Sequence, residues 1–302
     1  MVATPHYPVR TMTDSLAVPP TSRPDIRVVC VVYHPGDELA TFVRTLAAAS
    51  AATVELVIVD NGTDHTVAQE VAEEVGARLV RSGANLGYGG GANVGAAGAT
   101  APWIVVANSD IEWQPGALDA LVEAGRSDPR AGSVGPALLN TDGTLYPSAR
   151  ALPSLTQGAG HALFVRFWPG NPWTRRYRAH EQDTATRRAA GWLSGACLLL
   201  RREAFEAVGG FDDGYFMFFE DVDLGERLGR AGWTNLYVPQ VQVTHVGGTS
   251  WRAKPAPMIS AHHASAARYV RRRYPHWYQW PVRRVAVLGL RLRERAELRA
   301  AR

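Results

Sequence analysis

From residue 25 to residue 110 the apolar positions come in short unbroken runs, separated by stretches with helical spacing. The runs DIRVVCVVY (25–33), VELVIV (54–59) and WIVVAN (103–108) are β-branched and apolar without alternation, as strands buried on both faces are. Between them, Leu39, Phe42, Val43 and Leu46 recur at the period of a helix, residues 67–75 do the same, and 78–81 form a short strand. Strand, helix, strand, helix, strand predicts the βαβ rhythm of a doubly wound, mostly parallel sheet. Further on, Pro115 starts a helix over 116–124, and 132–139 with 144–147 form a hairpin around Asp142-Gly143. Residues 150–188 are irregular and rich in proline, arginine and tryptophan; a long irregular segment in a compact domain is usually a functional one. Its aromatics fit ordinary packing or stacking on carbohydrate. Regular structure resumes with a strand over 191–200, a helix over 202–208, a helix running to about Arg230, and two strands over 234–238 and 241–246.

Polar residues punctuate these runs at the places where open α/β sheets bind ligands, the C-terminal ends of strands. Asp60 closes the second run and Asp110 follows the last one. Asn61-Gly62 and Asn108-Ser109 are also turn formers, so each carboxylate has a structural reading beside the functional one. In residues 85–93 (NLGYGGGAN), Gly87, Gly89 and Ala92 fit GxGxxG/A, with Asp110 roughly 20 residues on, as in a dinucleotide-binding fold. That fingerprint normally joins the first strand to the first helix, whereas this one follows the third strand. Tight turns and close helix–sheet packing account for part of the glycine run, and amides at such a helix start suit an anion. A dinucleotide-dependent oxidoreductase therefore stays open at this point, as does a non-catalytic sugar-nucleotide- or glycan-binding protein. Later, an aromatic run over 215–219 ends in Glu220, Asp221 and Asp223 as a helix begins. The helix dipole explains one or two of these acids; three beside aromatics that lower the local dielectric point to a reactive carboxylate. His245 lies near the end of the last strand, where only company makes a histidine a ligand.

With 302 residues, 46% of them hydrophobic, the chain has ample material for a core. Its two cysteines, Cys30 and Cys197, sit inside apolar runs, as reduced core residues of a protein in a reducing compartment would. Residues 1–25 are proline-rich, without the apolar core of a signal peptide or membrane span, and read as a disordered N-terminal tail. Charge is unevenly spread. Eleven arginines and two glutamates from Arg268 to Arg302 make a local +9, so the rest of a chain whose total is +4 carries −5. Residues 258–302 therefore form a basic helical region whose arginines alternate with Trp277, Tyr278, Trp280, Val285, Leu288 and Leu292. That composition suits an interfacial helix on anionic lipid; nucleic acid and a plain solvated helix are the alternatives, and the interleaved apolar residues favour lipid over nucleic acid.

Taken together, the VVCVVY strand, Asp60-Asn61-Gly62, the 85–93 segment, Asn108-Ser109-Asp110, Ser194-Gly195-Ala196, Glu220-Asp221-Val222-Asp223 and His245 resemble the inverting family 2 glycosyltransferases with a GT-A fold. Within that family, YPSAR (146–150), FWPGNPWT (167–174), GWLSGACLL and YFMFFEDVDLG are similar to actinobacterial rhamnosyltransferases acting on N-acetylglucosaminyl-diphospho-polyprenol in cell-wall linker synthesis. The resemblance implies a Rossmann-like central sheet flanked by helices, a catalytic domain over 26–257, and an acceptor-side role for 150–188. It implies donor contacts from Asp60, Asn61, Asn85, Gly87, Tyr88, Asn93, Asn108 and Asp110, with Asp110 and His245 holding Mg²⁺ or Mn²⁺. Asn108 stands where the fuller motif has aspartate. Asp221 would be the general base, with Trp192, Ser194, Gly195, Glu220 and Asp223 on the acceptor side. The implied partners are dTDP-rhamnose, the lipid-linked acceptor and an anionic membrane surface, not nucleic acid. The implied location is cytoplasmic, peripheral to the inner face of the cell membrane.

Overall fold

A computed structural model describes residues 24–153, 186–247 and 255–301. The N-terminal tail and FWPGNPWT fall outside these residues. The chain begins with β1 (Ile26–Val32), α1 (Asp37–Ala49), β2 (Val54–Asp60), α2 (Thr66–Val75), β3 (Arg78–Arg81), α3 (Gly87–Ala96) and β4 (Trp103–Asn108). There follow β5 (Ile111–Trp113), α4 (Ala117–Arg126), β6 (Ala131–Leu139), β7 (Leu145–Tyr146), β8 (Ala149–Arg150), β9 (Arg188–Ala190), β10 (Trp192–Leu193) and β11 (Cys197–Arg201). The last elements are α5 (Arg202–Ala207), α6 (Glu220–Arg230), β12 (Thr234–His245), α7 (Pro255–Arg273), a 3₁₀ turn at Trp277–Gln279 and α8 (Trp280–Ala300).

The main sheet runs β3-β2-β1-β4-β11-β6-β12-β5. Six of these eight strands point the same way; β11 and β5 oppose them. β1, β2 and β4 are covered on both faces and apolar apart from the Arg27–Glu55 pair and the strand-end Asp60 and Asn108, and the expected doubly wound half is present. Helix α1 seats Leu39, Phe42, Val43 and Leu46 on one face, each burial contributing about 1.5–3 kcal/mol. On the other face α3 lies so close that a Cβ on Gly95 would stand 2.3 Å from Val29 and one on Gly91 2.8 Å from Val31. The glycine run is thus a helix packed flat on the sheet from Gly87 onward, not a loop. Cys30 and Cys197 are buried and unpaired, and burial pushes both thiols well above their usual range.

Three expectations change on folding. The run 191–200 is not one strand: β10 pairs with β8 in a two-stranded ribbon, Ser194-Gly195-Ala196 turns, and β11 then enters the main sheet between β4 and β6. The two strands expected over 234–246 are one, β12, whose register with β6 shifts between Val238 and Gln242, around Pro239. Finally, the basic C-terminal region is not uniformly surface. In α7, Arg268 and Arg272 pair with Asp212, Arg272 also approaches Asp223, and Arg273 pairs with Glu226. Tyr269 and Val270 are buried in the same contact.

Candidate active site

The end of β2 is closed by Asp60. It has no exposed surface: Oδ1 accepts the Gly62 N–H at 2.8 Å and Oδ2 lies 2.6 Å from His65 Nδ1. Its carboxylate is therefore spent on the 61–65 turn, which it holds in shape. Asn61 donates from Nδ2 to the Gly87 carbonyl (2.9 Å) and leaves its buried Oδ1 without a partner. Asn85 accepts the Gly87 N–H at 3.0 Å, and Gly87 itself, at φ +74°, starts α3. Only glycine fits there, since a Cβ would fall 2.0 Å from the Phe216 carbonyl oxygen. The Tyr88 N–H donates to that same oxygen at 3.0 Å. Asn93 uses both ends of its amide on the 211–213 segment: Nδ2 donates to Phe211 O and Asp213, and Oδ1 accepts the Phe211 N–H. Tyr88 and Asn93 thus join the two walls of the cleft.

At the end of β4, in the turn to β5, Asp110 Oδ2 accepts the Gly247 N–H at 3.0 Å while Oδ1 stands 3.2 Å from His245 Nε2. The same Nε2 lies 3.2 Å from Asn108 Nδ2. With Asn108 donating, Nε2 presents its lone pair, and two acceptors are left facing one another. The buried Oδ1 has no hydrogen-bond donor. A cation relieves this pairing, and a carboxylate with an imidazole suits Mn²⁺ or Mg²⁺, more naturally Mn²⁺. Burial pushes the Asp110 carboxyl up, but the His245 ring in its donor form and the Gly247 amide outweigh it and hold it below the ordinary carboxylate range; a bound cation would take the place of that His245 proton. Asn108, the departure from a full Asp-x-Asp, is the residue that orients the histidine.

Asp221 arrives from the opposite side, in the first turn of α6. Its Oδ2 accepts the Gly195 N–H at 3.0 Å and its Oδ1 the Val222 N–H at 2.8 Å. The Asn108 N–H donates to Ala196 O at 3.0 Å, so the 194–196 turn spans from the β4 end to Asp221. Tyr88 OH caps the Gly195 carbonyl. Burial raises the Asp221 carboxyl above its ordinary value, with the two amides and the charge of Arg150 pulling against it. Its neighbour Glu220 is buried with Oε2 unpartnered; burial and then the Asp221 charge raise it to about 8. The paired acids therefore share a proton at neutral pH. Asp223 points elsewhere, into a 2.6 Å ion pair with Arg227. Trp192 is fixed by Nε1–H donating to Ala151 O at 3.1 Å, and Ser194 by its backbone N–H to Ser148 O.

The segment carrying these acids is strained. Phe218 and Phe219 both have φ of +65°, which costs bulky residues about 1–3 kcal/mol each. Helix α7 holds them: the His262 ring packs on both, Tyr269 lies 5.6 Å from Phe219, and Ser265 Oγ donates to Met217 O at 2.8 Å. The sequence reading did not single out this buttress, nor Tyr146 and Arg150, whose side chains line the same cleft. The composition of YPSAR was the only signal for them.

A family profile described as "Glycosyltransferase like family 2" matches residues 23–258. The N-acetylglucosaminyl-diphospho-decaprenol L-rhamnosyltransferase of Mycobacterium tuberculosis is 44% identical over 286 residues, covering 91% of this chain and 93% of that one. Among solved structures, the mannosyltransferase PcManGT from Pyrobaculum calidifontis, in complex with GDP-Man and Mn²⁺, aligns with a TM-score of 0.53 at 19% identity. That alignment covers 82% of this chain and 66% of the mannosyltransferase, and at this identity the likeness is one of fold.

Proposed function

The chain belongs to the family 2 glycosyltransferases, and on that premise we propose that it transfers L-rhamnose from dTDP-β-L-rhamnose to N-acetylglucosaminyl-diphospho-polyprenol, with inversion. The observation that carries this reading is the 44% identity to the mycobacterial rhamnosyltransferase over nearly the whole of both chains. The dinucleotide reading falls away with family membership and with the packing of the glycines against the sheet.

In this mechanism the 61–65 turn and the start of α3 receive the donor nucleotide, and Asp110 with His245 would hold the divalent cation. A hard divalent ion held by so few protein groups would suit a diphosphate, whose oxygens are ligands of the kind it prefers. When bound, the ion stabilises charge on the departing nucleoside diphosphate. The Asp221 carboxylate takes the proton from the acceptor hydroxyl as that oxygen bonds to the anomeric carbon and the carbon–oxygen bond to the diphosphate breaks. Its raised affinity for a proton suits a general base better than an ordinary surface carboxylate would.

The lipid acceptor is met at a membrane surface by α8. No helix among the described residues is long and apolar enough to cross a membrane. Instead Val282, Val285, Leu288 and Leu292 form one exposed stripe, with Val285 71% and Trp277 86% exposed. Arg284, Arg291 and Arg295 flank the stripe, the pattern of a helix lying on anionic lipid. Since Arg268, Arg272 and Arg273 pair internally, the lipid-facing charge belongs to α8 rather than to the whole basic region. In vesicle sedimentation, a protein ending at Tyr274 should lose most binding to anionic vesicles; equal binding removes this role.

The deciding assay combines purified protein, Mg²⁺ or Mn²⁺, and a synthetic GlcNAc-diphospho-polyprenol with dTDP-rhamnose or competing donors, with the product linkage read by NMR. An α-L-rhamnosyl product is expected. Preferential use of UDP- or GDP-sugars, or a β-rhamnosyl product, would overturn the assignment.

A further inference from the structure

Arg150 stands apart from the other half-buried arginines. Arg27, Arg201, Arg202, Arg227, Arg268, Arg273 and Arg283 each place a terminal guanidinium nitrogen on a carboxylate or a carbonyl. Arg150 spends only Nε, donating to Pro147 O at 2.9 Å; among the described residues neither Nη has a partner. Its guanidinium is nonetheless held, 5.8 Å from the Tyr146 ring centroid and 5.7 Å from that of Trp192. The scaffold beneath is rigid. Arg150 pairs in register with Trp192 across the β8–β10 ribbon, and the Gly191 N–H donates to Arg150 O at 2.9 Å. Residue 191 must be glycine, because a Cβ would meet Leu152 N at 2.4 Å. Trp192 in turn packs against Gly225 of α6, where a Cβ would stand 2.7 Å from it.

A planar guanidinium beside two aromatic rings, with neither Nη used by a described residue, suits bidentate capture of a phosphate. Its position selects which one. Tyr146 also meets the His245 ring edge-on at 6.2 Å, and the Arg150 charge is felt at Asp221, so the guanidinium is near both ends of the site. The acceptor hydroxyl must reach Asp221, and in a diphosphate-linked N-acetylhexosamine the phosphate is separated from the ring hydroxyls by one sugar ring. We infer that Arg150, clamped between Tyr146 and Trp192, binds the diphosphate of the lipid-linked acceptor and so selects acceptors that carry one. This rests on the acceptor class proposed above and adds the residue that reads it. The charge of Arg150 also favours ionised Asp221, so an acceptor diphosphate that neutralises it makes the base a stronger one at the moment the acceptor is seated.

The test compares Arg150→Met and Arg150→Lys with the unaltered full-length protein on two acceptors, GlcNAc-diphospho-farnesol and a farnesyl GlcNAc glycoside without phosphate. Arg150→Met should lower kcat/KM for the diphosphate acceptor by about 10- to 100-fold, through KM, the scale of lost hydrogen bonds to a charged group. It should leave the neutral acceptor and dTDP affinity within about threefold, with Arg150→Lys between, since lysine keeps charge without the fork. An equal loss on both acceptors would make Arg150 a positioning residue for Asp221 and overturn the inference. Loss of dTDP affinity with acceptor use unchanged would assign the donor diphosphate instead, and also overturn it. Direct binding of the diphosphate acceptor, measured by calorimetry with dTDP present, separates the two readings. Weaker binding in Arg150→Met supports the inference even if the unaltered protein fails to use dTDP-rhamnose, an outcome that would reject only the donor.

Discussion

The wall of the site that carries Asp60, Gly87 and Asp110 takes these residues from one continuous stretch, 26–113, whereas the wall that carries Asp221 and Arg150 is gathered from 146–150, 192–196, 211–224 and 262–273. On the first wall the turn at the end of β2 and the start of α3 are set by near neighbours in sequence, Asp60 with Gly62 and His65 and Gly87 with Asn85, while Asp110 and Asn93 reach across to Gly247 and to 211–213. On the second the reactive groups all need a remote partner besides their local ones. Asp221 is set by Gly195, the strained phenylalanines by α7, and Arg150 by Trp192. A wall made locally is a repeated solution for holding a nucleotide, while one made from remote pieces can be remodelled for an acceptor without disturbing the sheet.

The contrast breaks most visibly in paired substitutions, one per wall. Asp221→Asn keeps size and, with its amide oxygen turned to the Gly195 N–H, the contact to the 194–196 turn, giving up only the acceptor for the Val222 N–H, so turnover should fall by about 10²-fold or more, the scale of losing a general base. Donor-nucleotide affinity should be nearly unchanged. Asp110→Ala should also abolish most turnover, yet by weakening metal-dependent nucleotide binding, with His245→Ala milder in the same direction. Nucleotide titrations at several metal concentrations separate the two. Asp221→Asn weakening nucleotide binding as much as Asp110→Ala would mean the walls are not separable.

A middle-sized effect is expected at the seam. Gly87→Ala meets both a left-handed backbone and the Phe216 carbonyl, so it should destabilise by more than about 1 kcal/mol. Donor affinity and turnover should fall together, because the seam serves both walls. Gly229→Ala, in open space on α6, is the control and should be neutral or stabilising by about 0.5–1 kcal/mol. Thermal melts of both variants check this.

The smallest effect is in pH dependence. Glu220 titrates at about 8 in the folded protein and near 4.5 when unfolded, so across that interval the folded state binds more protons. Stability therefore falls as pH rises from 4.5 to 8 and levels off above it. Glu220→Gln should flatten this decline, seen as a smaller drop in Tm between pH 5 and pH 9. Asp221 has the same sign, so the acid limb of turnover should lie above the ordinary carboxylate range and survive in Glu220→Gln. A limb that moves with Glu220→Gln would identify Glu220, not Asp221, as the group that must ionise.

Much of the first wall was legible in the chain itself. Unbroken β-branched runs mean strands covered on both faces, and a polar residue ending such a run can lie only at a strand's end; β1, β2, β4 and the positions of Asp60 and Asp110 follow from that periodicity alone. The basic, apolar-striped α8 was legible for the same reason, since its pattern is local. What folding decided was partnership. Nothing local separates Arg268, Arg272 and Arg273, which meet acids from 212–226, from the arginines of α8, because pairing depends on which surfaces α7 covers. In the same way Asp223 and Asp221 are indistinguishable as letters, yet one is spent on Arg227 and the other is presented to the cleft by the amide of Gly195. Periodicity reports burial of a face, which is a property of neighbours along the chain. A charge or an amide acquires its role only from what lies opposite it, and that is set by the tertiary structure.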